Sequence, residues 1–391
     1  MAFLFFSIVT VFYVFLGFVY MANPDLEPLG AMGISGVPEA FLLVFIIGYV
    51  SVGTGYAIST KRRNPTLRTI SSPYFQSYCS LMYLVFSLVL FFWGVSYYGG
   101  YVGFISTPYS AILEVSDNEL KDVLISSSGL LAVFSILSAF SGDGGNKKKY
   151  IISLVSLFVL LSVFFQGRRE TLVLLMITFL SYKFIGEKLS ARGVFKSIAI
   201  GFLVAFAAGV GLYLRETTAT SGGNILSAIS YAILYETHFT IATLGNEIKI
   251  HLLDGRDFLG IGSMFQPILF IIPGFIFSLL GLDKAETLGL GLSEPKFYDD
   301  KGGSFIFSHG IHSLGYIGVV IDGLVIGFLL SYFYKIAKNK KMIFFHFPIV
   351  SLILVATRKD VTYGIKYISL QFMAMLFFYL IYKCLPKKNN I

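Results

Sequence analysis

The sequence predicts an all-α, polytopic membrane protein with about ten spanning helices, set by the roughly 20 apolar residues a span needs. Both termini are expected in the cytoplasm, with one large outer loop that carries a re-entrant or amphipathic helix. Three observations predict this. Of 391 residues, 55% are hydrophobic and only 13% charged, too few charges to cover a soluble globule of this size. Apolar runs recur from end to end. Between them, Lys and Arg collect on alternate sides, as the positive-inside rule requires.

The first run, AFLFFSIVTVFYVFLGFVYM, has neither a charged leader nor a small-residue cleavage site, so it reads as a retained helix and not a signal peptide. Further spans are expected at 38–58, 76–97, 122–140, 150–166, 170–185, 197–214, 314–334, 342–357 and 361–382. The inner loops are then KRRNPTLR (61–68), GGNKKK (144–149), KFIGEKLSARGVFK (183–196), KIAKNKK (335–341) and the tail KCLPKKNN (383–390). They hold 18 of the 30 Lys and Arg, and Asp322 is the one acid well inside a span, away from its ends. The net charge of +8 is thus spread between helices and makes no single basic face, which excludes a nucleic-acid partner. Cys79 and Cys384 lie near opposite ends of the chain and suggest neither a disulfide framework nor a metal site. No internal repeat or separate soluble core is visible, so 1–391 reads as one integral membrane domain containing the outer loop 215–313.

Within that loop, MFQPILFIIPGFIFSLLGL (264–282) is interrupted by Pro267, Pro273 and Gly274. Proline removes backbone donors and kinks a helix, so a re-entrant or interface-lying segment is expected and a straight span is not.

Three basic clusters fall on the outer side, against the charge rule: Arg168 with Arg169, Arg215, and Arg358 with Lys359. Splitting 150–185 at GRRE leaves helices of about 25 Å, against a hydrocarbon core of about 30 Å. Segment 342–357 is equally short. These arginines should therefore sit below the outer surface, where a charge is costly unless it binds an anion or lines a wet cavity. Two readings stand at this point. The guanidinium groups bind a pyrophosphate, for which their paired donors suit them. Alternatively, they snorkel to the headgroups or pair with Glu170, Glu216 and Asp360.

Candidate acid–base residues lie in the outer loop. His309 and His312 are three apart and would share a helix face just before the eighth span. Glu236 and His238 (YETHF) could pair on a strand but not on a helix. DGRD (254–257) reads as a solvated turn at Gly255, and YDDKGGS (298–304) as an acidic flexible loop. Tyr97, Tyr98, Tyr101 and Tyr109 could stack on sugars or form an interfacial belt. A zinc site at the histidine pair lacks a third ligand at clear spacing.

These features, in this order, resemble the Wzy-type O-antigen and oligosaccharide repeat-unit polymerases of bacterial inner membranes. The resemblance is carried by QGRRET (166–171), by Arg215 opening the large loop, and by FLGIGSMFQPILFIIPG (258–274). It is carried most strongly by GGSFIFSHGIHSLGYIGVVIDGLVIGFLLSYF (302–333), with its Gly315 to Gly318 step. Acidic or amide residues often precede that helix in the family, where this chain has His309 and His312. The resemblance implies a multi-pass inner-membrane glycosyltransferase of lipopolysaccharide or related polysaccharide biosynthesis. It would move a growing glycan from undecaprenyl pyrophosphate to a lipid-linked repeat unit at the periplasmic face, inverting the anomeric centre. Neither metal nor other cofactor is implied. The implied partners are undecaprenyl-pyrophosphate-linked oligosaccharides, the lipid bilayer and a chain-length regulator. The catalytic candidates would be His309, His312, Glu236 and His238, with Arg168, Arg169, Arg215, Arg358 and Lys359 on the pyrophosphate. An O-antigen ligase, or a lipid-linked oligosaccharide flippase or transporter, is the alternative; a transporter would place charges along a central path.

Overall fold

The computed structural model describes residues 2–22, 37–60, 72–107, 119–142, 145–166, 168, 170–186, 240–255, 257–269, 272, 277, 280–282, 305–340, 342–359 and 361–384. All regular structure among them is helical. In chain order the elements are α1 (Ala2–Ala22), α2 (Pro38–Thr60), α3 (Pro73–Ser96), the short α4 (Tyr101–Ser106), α5 (Glu119–Ser141), α6 (Asn146–Phe165) and α7 (Glu170–Gly186). Then come α8 (240–253), whose last turn Lys249–Leu253 is π-helical, and α9, a 3₁₀ turn Ile261–Phe265 running into Gln266–Leu269. They are followed by α10 (Ser308–Leu314), α11 (Tyr316–Lys340), the irregular α12 (343–359) and α13 (Val361–Cys384). Seven of these, α1, α2, α3, α5, α6, α11 and α13, are long and apolar enough to cross a membrane.

Helical segments coincide with nine of the ten expected spans, and 197–214 lies outside the described residues. One boundary matters for the arginine argument. The α6 helix begins at Asn146 and runs 20 residues, so it takes in Lys147 to Lys149 and measures about 30 Å. The added turn carries the lysines and leaves the apolar stretch 150–165 as short as the sequence has it. The 17-residue α7 is still short, at about 25 Å. Hydropathy missed the extra turn because lysines at a helix start look like loop. The 258–282 run is not one straight helix: α9 stops at Leu269 and the chain bends at Ile272.

The chain divides into two compact units. The first comprises Met1–Pro65, Leu234–Ile336 and Pro348–Leu370, and the second Thr66–Ile233, Ala337–Phe347 and Gln371–Ile391. In the second unit α3 and α5 are tied across their interface by serines: Ser87 Oγ donates to Ser128 O and Ser135 Oγ to Ser80 O, both at 2.8 Å. Gly94 leaves room for Ile125 between the two helices, and Tyr83 is buried edge-on against Phe134 and Phe378. Cys79 is buried and Cys384 exposed, each as a free thiol.

In the first unit α2 and α11 meet backbone to backbone. The segment GLVIG (323–327) of α11 faces Ser51, Val52 and Gly55 of α2. A Cβ on Gly327 would overlap the Val52 carbonyl, and one on Gly55 the Leu324 carbonyl. Small residues at four-residue spacing let membrane helices approach this closely, where dispersion contacts drive association.

Gly327→Ala should therefore lower the thermal midpoint of the purified protein in detergent by several degrees, because neither backbone can yield. Gly53→Ala is the control, since its Cβ would meet only the Phe3 ring at 3.5 Å. It should leave the midpoint unchanged or raise it slightly, as alanine is the better helix former by roughly 0.5–1 kcal/mol.

Candidate functional site

The polar centre of the first unit is assembled around α10. Its helix is only seven residues long and ends at Gly315, whose φ of 62° reverses the chain into α11. The hairpin closes on a contact between Gly310 and Gly318, each of which would overlap the other's backbone if it carried a Cβ. This close approach lays the α10 side chains along the first turns of α11.

His309 thereby reaches Asp322. Nδ1 stands 2.9 Å from Asp322 Oδ2, and both residues are buried, at 1% and 4% exposure. The Gly310 N–H also bonds to the Asp322 carboxylate. On its other side His309 Nε2 faces the Ser263 carbonyl at 3.1 Å. A carbonyl only accepts, so Nε2 carries a proton and donates. One further proton lies between Nδ1 and Oδ2. Whichever of those two atoms holds it, the pair is neutral overall and His309 has no nitrogen open to a substrate.

The Ser263 carbonyl is brought there by the segment before it. Leu259 N–H donates to His312 O and Gly260 N–H to Ser313 O, both at 3.0 Å, so 259–260 is stapled along α10. Ser263 Oγ donates to Gly260 O at 2.6 Å and tightens the turn. Phe258 packs on Gly315 and stacks on the His251 ring at 5.9 Å between centroids.

His312 occupies the same face of α10, as the spacing predicts, with its ring 5.5 Å from that of His309. Its setting differs. Nδ1 points toward Glu247 Oε1 at 3.9 Å, and Nε2 has no hydrogen-bond partner among the described residues. The side chain keeps 24% of its accessibility. Burial of the ring pushes the imidazolium down to about 4, with Glu247 pulling the other way and His309 and His251 adding to the fall. His312 is therefore neutral at ordinary pH. Glu247 also holds His251, with Nε2 3.3 Å from Oε2, across the π-helical turn of α8. Neither Glu247, His251 nor Asp322 stands out in the sequence as a partner of the histidine pair. The only signal was that Asp322 is the one acid well inside a span, and a buried acid needs a partner. Among the described residues no group of three His, Cys, Asp or Glu side chains is arranged to hold a metal ion.

The second unit contains the described part of the arginine clusters. Arg168 follows α6, whose end it closes by donating its backbone N–H to Val163 O. Its guanidinium is saturated on three edges. Nε donates to Gln166 Oε1 at 3.2 Å, Nη1 to Asp122 O at 3.2 Å and Ser126 Oγ at 2.7 Å, and Nη2 to Asp122 Oδ1 at 2.5 Å. Its acidic partner is thus Asp122, at the start of α5. Arg168 is 14% exposed and Asp122 40%, so the carboxylate lies on the open side of the pair. Lys121 sits over the Tyr98 ring at 5.4 Å, and the Tyr101 hydroxyl lies 3.0 Å from Ser162 Oγ. These two tyrosines are thereby committed to protein contacts on at least one side. Arg169, Arg215, Glu236, His238, Tyr109, Glu216, Asp360 and 298–304 lie outside the described residues, and for Arg358 and Lys359 only the backbone, at the end of α12, is described. The chain bends at Asp254, Gly255 stands at φ 70°, and Asp254 and Asp257 are exposed; Arg256 lies outside the described residues.

No family model matches the chain, and no curated protein or solved structure shows significant similarity to it.

Two outcomes are expected. His309→Leu and Asp322→Leu should each destabilise the protein by about 3 kcal/mol, because each leaves a buried polar group without its partner. The double variant should recover most of that loss in a thermal double-mutant cycle. The second concerns acid. The unfolded chain protonates His312 near 6.5 and the folded chain only near 4, so stability falls as pH drops between those values. In His312→Gln the slope of thermal midpoint against pH across that window should be shallower.

Proposed function

We propose that this chain is a membrane glycan polymerase of the Wzy type, moving a growing oligosaccharide from undecaprenyl pyrophosphate to the sugar of a lipid-linked repeat unit. The observation that carries the reading is His312: a neutral imidazole whose buried Nε2 has no hydrogen-bond partner among the described residues, beside a carboxylate, at the foot of an apolar helix long enough to span a membrane. A hydroxyl acceptor needs such a group, because its proton must leave as its oxygen attacks.

In this reading the acceptor oxygen forms a bond to the anomeric carbon while the bond from that carbon to the pyrophosphate oxygen breaks. The electron pair leaves on the phosphate, and the proton passes to His312 Nε2. Attack opposite the leaving group inverts the centre. The pyrophosphate carries its own activation, and Arg168, Arg169, Arg215, Arg358 and Lys359 are the candidates to neutralise it as it departs. Arg168 supports this through its fixed donor set: a guanidinium already oriented needs little reorganisation to meet an anion. Asp122 competes with that anion, so binding requires the pair to open on its exposed side. His309 is assigned the anchoring of α10 and not proton transfer. The periplasmic face and bacterial inner membrane are the setting this reaction requires.

The test is complementation of a strain lacking its own polymerase, read as a glycan ladder on a gel. His312→Gln, Arg168→Ala, Arg169→Ala and Arg215→Ala should each cut long-chain product by about a hundredfold, in the range expected for losing an acid–base or anion-stabilising group. Protein level and membrane insertion should be unchanged. Asp122→Asn should retain most of the ladder, which separates an anion role of Arg168 from a structural one. Single repeat units remaining on the lipid core mark a polymerase defect. Loss of every attached unit would point to a ligase, and normal ladders in all four variants would defeat the proposal.

A further inference from the structure

Glu247 is 9% exposed, and a carboxylate so enclosed is costly unless donors meet its oxygens. Here a histidine ring faces each of them: His251 Nε2 on Oε2 at 3.3 Å, and His312 Nδ1 toward Oε1 at 3.9 Å, beyond hydrogen-bond distance but close enough for the carboxylate's charge to act on the ring. A neutral imidazole has one N–H, and the group facing one nitrogen decides which nitrogen carries it. A carboxylate only accepts, so it favours the proton on Nδ1 and leaves the lone pair on Nε2. The third histidine of the cluster cannot take that role, because both its nitrogens are engaged by Asp322 and Ser263.

We propose that Glu247 is a positioning residue that holds His312 in its Nδ1–H tautomer, so that Nε2 is the nitrogen available to accept a proton. His251 is the second arm of the clamp. It lies one helical turn from Glu247, is stacked on Phe258, and limits rotation of the carboxylate about its last bond. The π-helical turn that carries His251 widens α8 at this point, and such turns recur at functional sites. The inference rests on the reading of His312 as the base, and it adds what happens after transfer. The proton taken from the acceptor hydroxyl makes His312 an imidazolium, and the Glu247 carboxylate is the counter-charge beside it until the proton is passed on. Low accessibility alone resists that cation, as the ring's preference for the neutral form shows.

The test reads the tautomer directly and needs no substrate. The chain has five histidines, so nitrogen NMR of full-length protein labelled at histidine and held in nanodiscs is tractable, with His312 assigned by His312→Gln. Wild-type protein at pH 7.5 should show His312 protonated at Nδ1 and bare at Nε2. Glu247→Leu should move it to the Nε2–H form or to a mixture of the two, while Glu247→Gln, which keeps an acceptor oxygen, should retain Nδ1–H. In the complementation assay Glu247→Leu should lose about a hundredfold of long-chain product and Glu247→Gln recover part of it, following the effect of disturbing a base's orienting partner. A wild-type His312 protonated at Nε2 overturns the proposal whether or not the leucine variant folds, and so does a tautomer unmoved in Glu247→Leu. If the tautomer behaves as stated but His312→Gln makes normal ladders, the Glu247–His312 pair stands and the polymerase reading falls.

Discussion

The buried pair between His309 and Asp322 is the constraint from which the first unit is organised. A carboxylate two turns into an apolar helix costs several kcal/mol to desolvate, and it is tolerable only with donors placed against it. The donors here are the His309 ring and the Gly310 N–H, both on α10. For α10 to lie that close, its backbone must touch α11, which the glycine contact between 310 and 318 permits. The chain must also reverse within one residue, which Gly315 permits in the left-handed region. The far side of the same ring then fixes Ser263, so the turn Ile261–Phe265 is pinned to α10 at the start of α11. Removing one partner alone would leave the other buried without its counterpart, which is the cost that the closed hairpin avoids.

The legibility of this arrangement in the sequence followed the range of the interaction. Spacing alone gave the His309–His312 face, because three residues on a helix is a local relation. Apolar runs gave the helices, since burial in lipid and in protein demand the same composition. Partners across the fold were not legible. Asp122 is 46 residues from Arg168, and Glu247 lies 65 before His312, so no periodicity connects them. The adjacent acids that the sequence offered, such as Glu170, were near in number only. The start of α6 was missed for a related reason: hydropathy counts Lys147 to Lys149 as loop, whereas the helix includes them in its first turn.

Arg168 illustrates how a basic residue can be both satisfied and serviceable. Three of its edges are spoken for by Gln166, Asp122 and Ser126, which explains how it is accommodated beside apolar helices without invoking a ligand. The same contacts hold the guanidinium plane in one orientation. An incoming dianion offers more charge than one carboxylate, and Asp122 faces outward, so exchange of partners needs movement of the acid and not of the base. An arginine held this way differs from one that snorkels, whose head follows the headgroups and has no fixed direction.

Two histidines on one helical turn have been given opposite properties by what surrounds them. His309 has an acceptor on each nitrogen, keeps a proton on Nε2 and has nothing left to exchange. His312 faces a carboxylate on one side, stays neutral through burial, and has a buried Nε2 without a hydrogen-bond partner among the described residues. Pairs of like groups driven apart by environment are how a single fold divides structural and acid–base duties. The division is economical in this chain because the first histidine positions the second: the α10 backbone that His309 anchors is the same backbone that aims His312 at Glu247. A change at His309 should therefore reach the chemistry only through geometry, and a change at His312 should reach it without disturbing the fold.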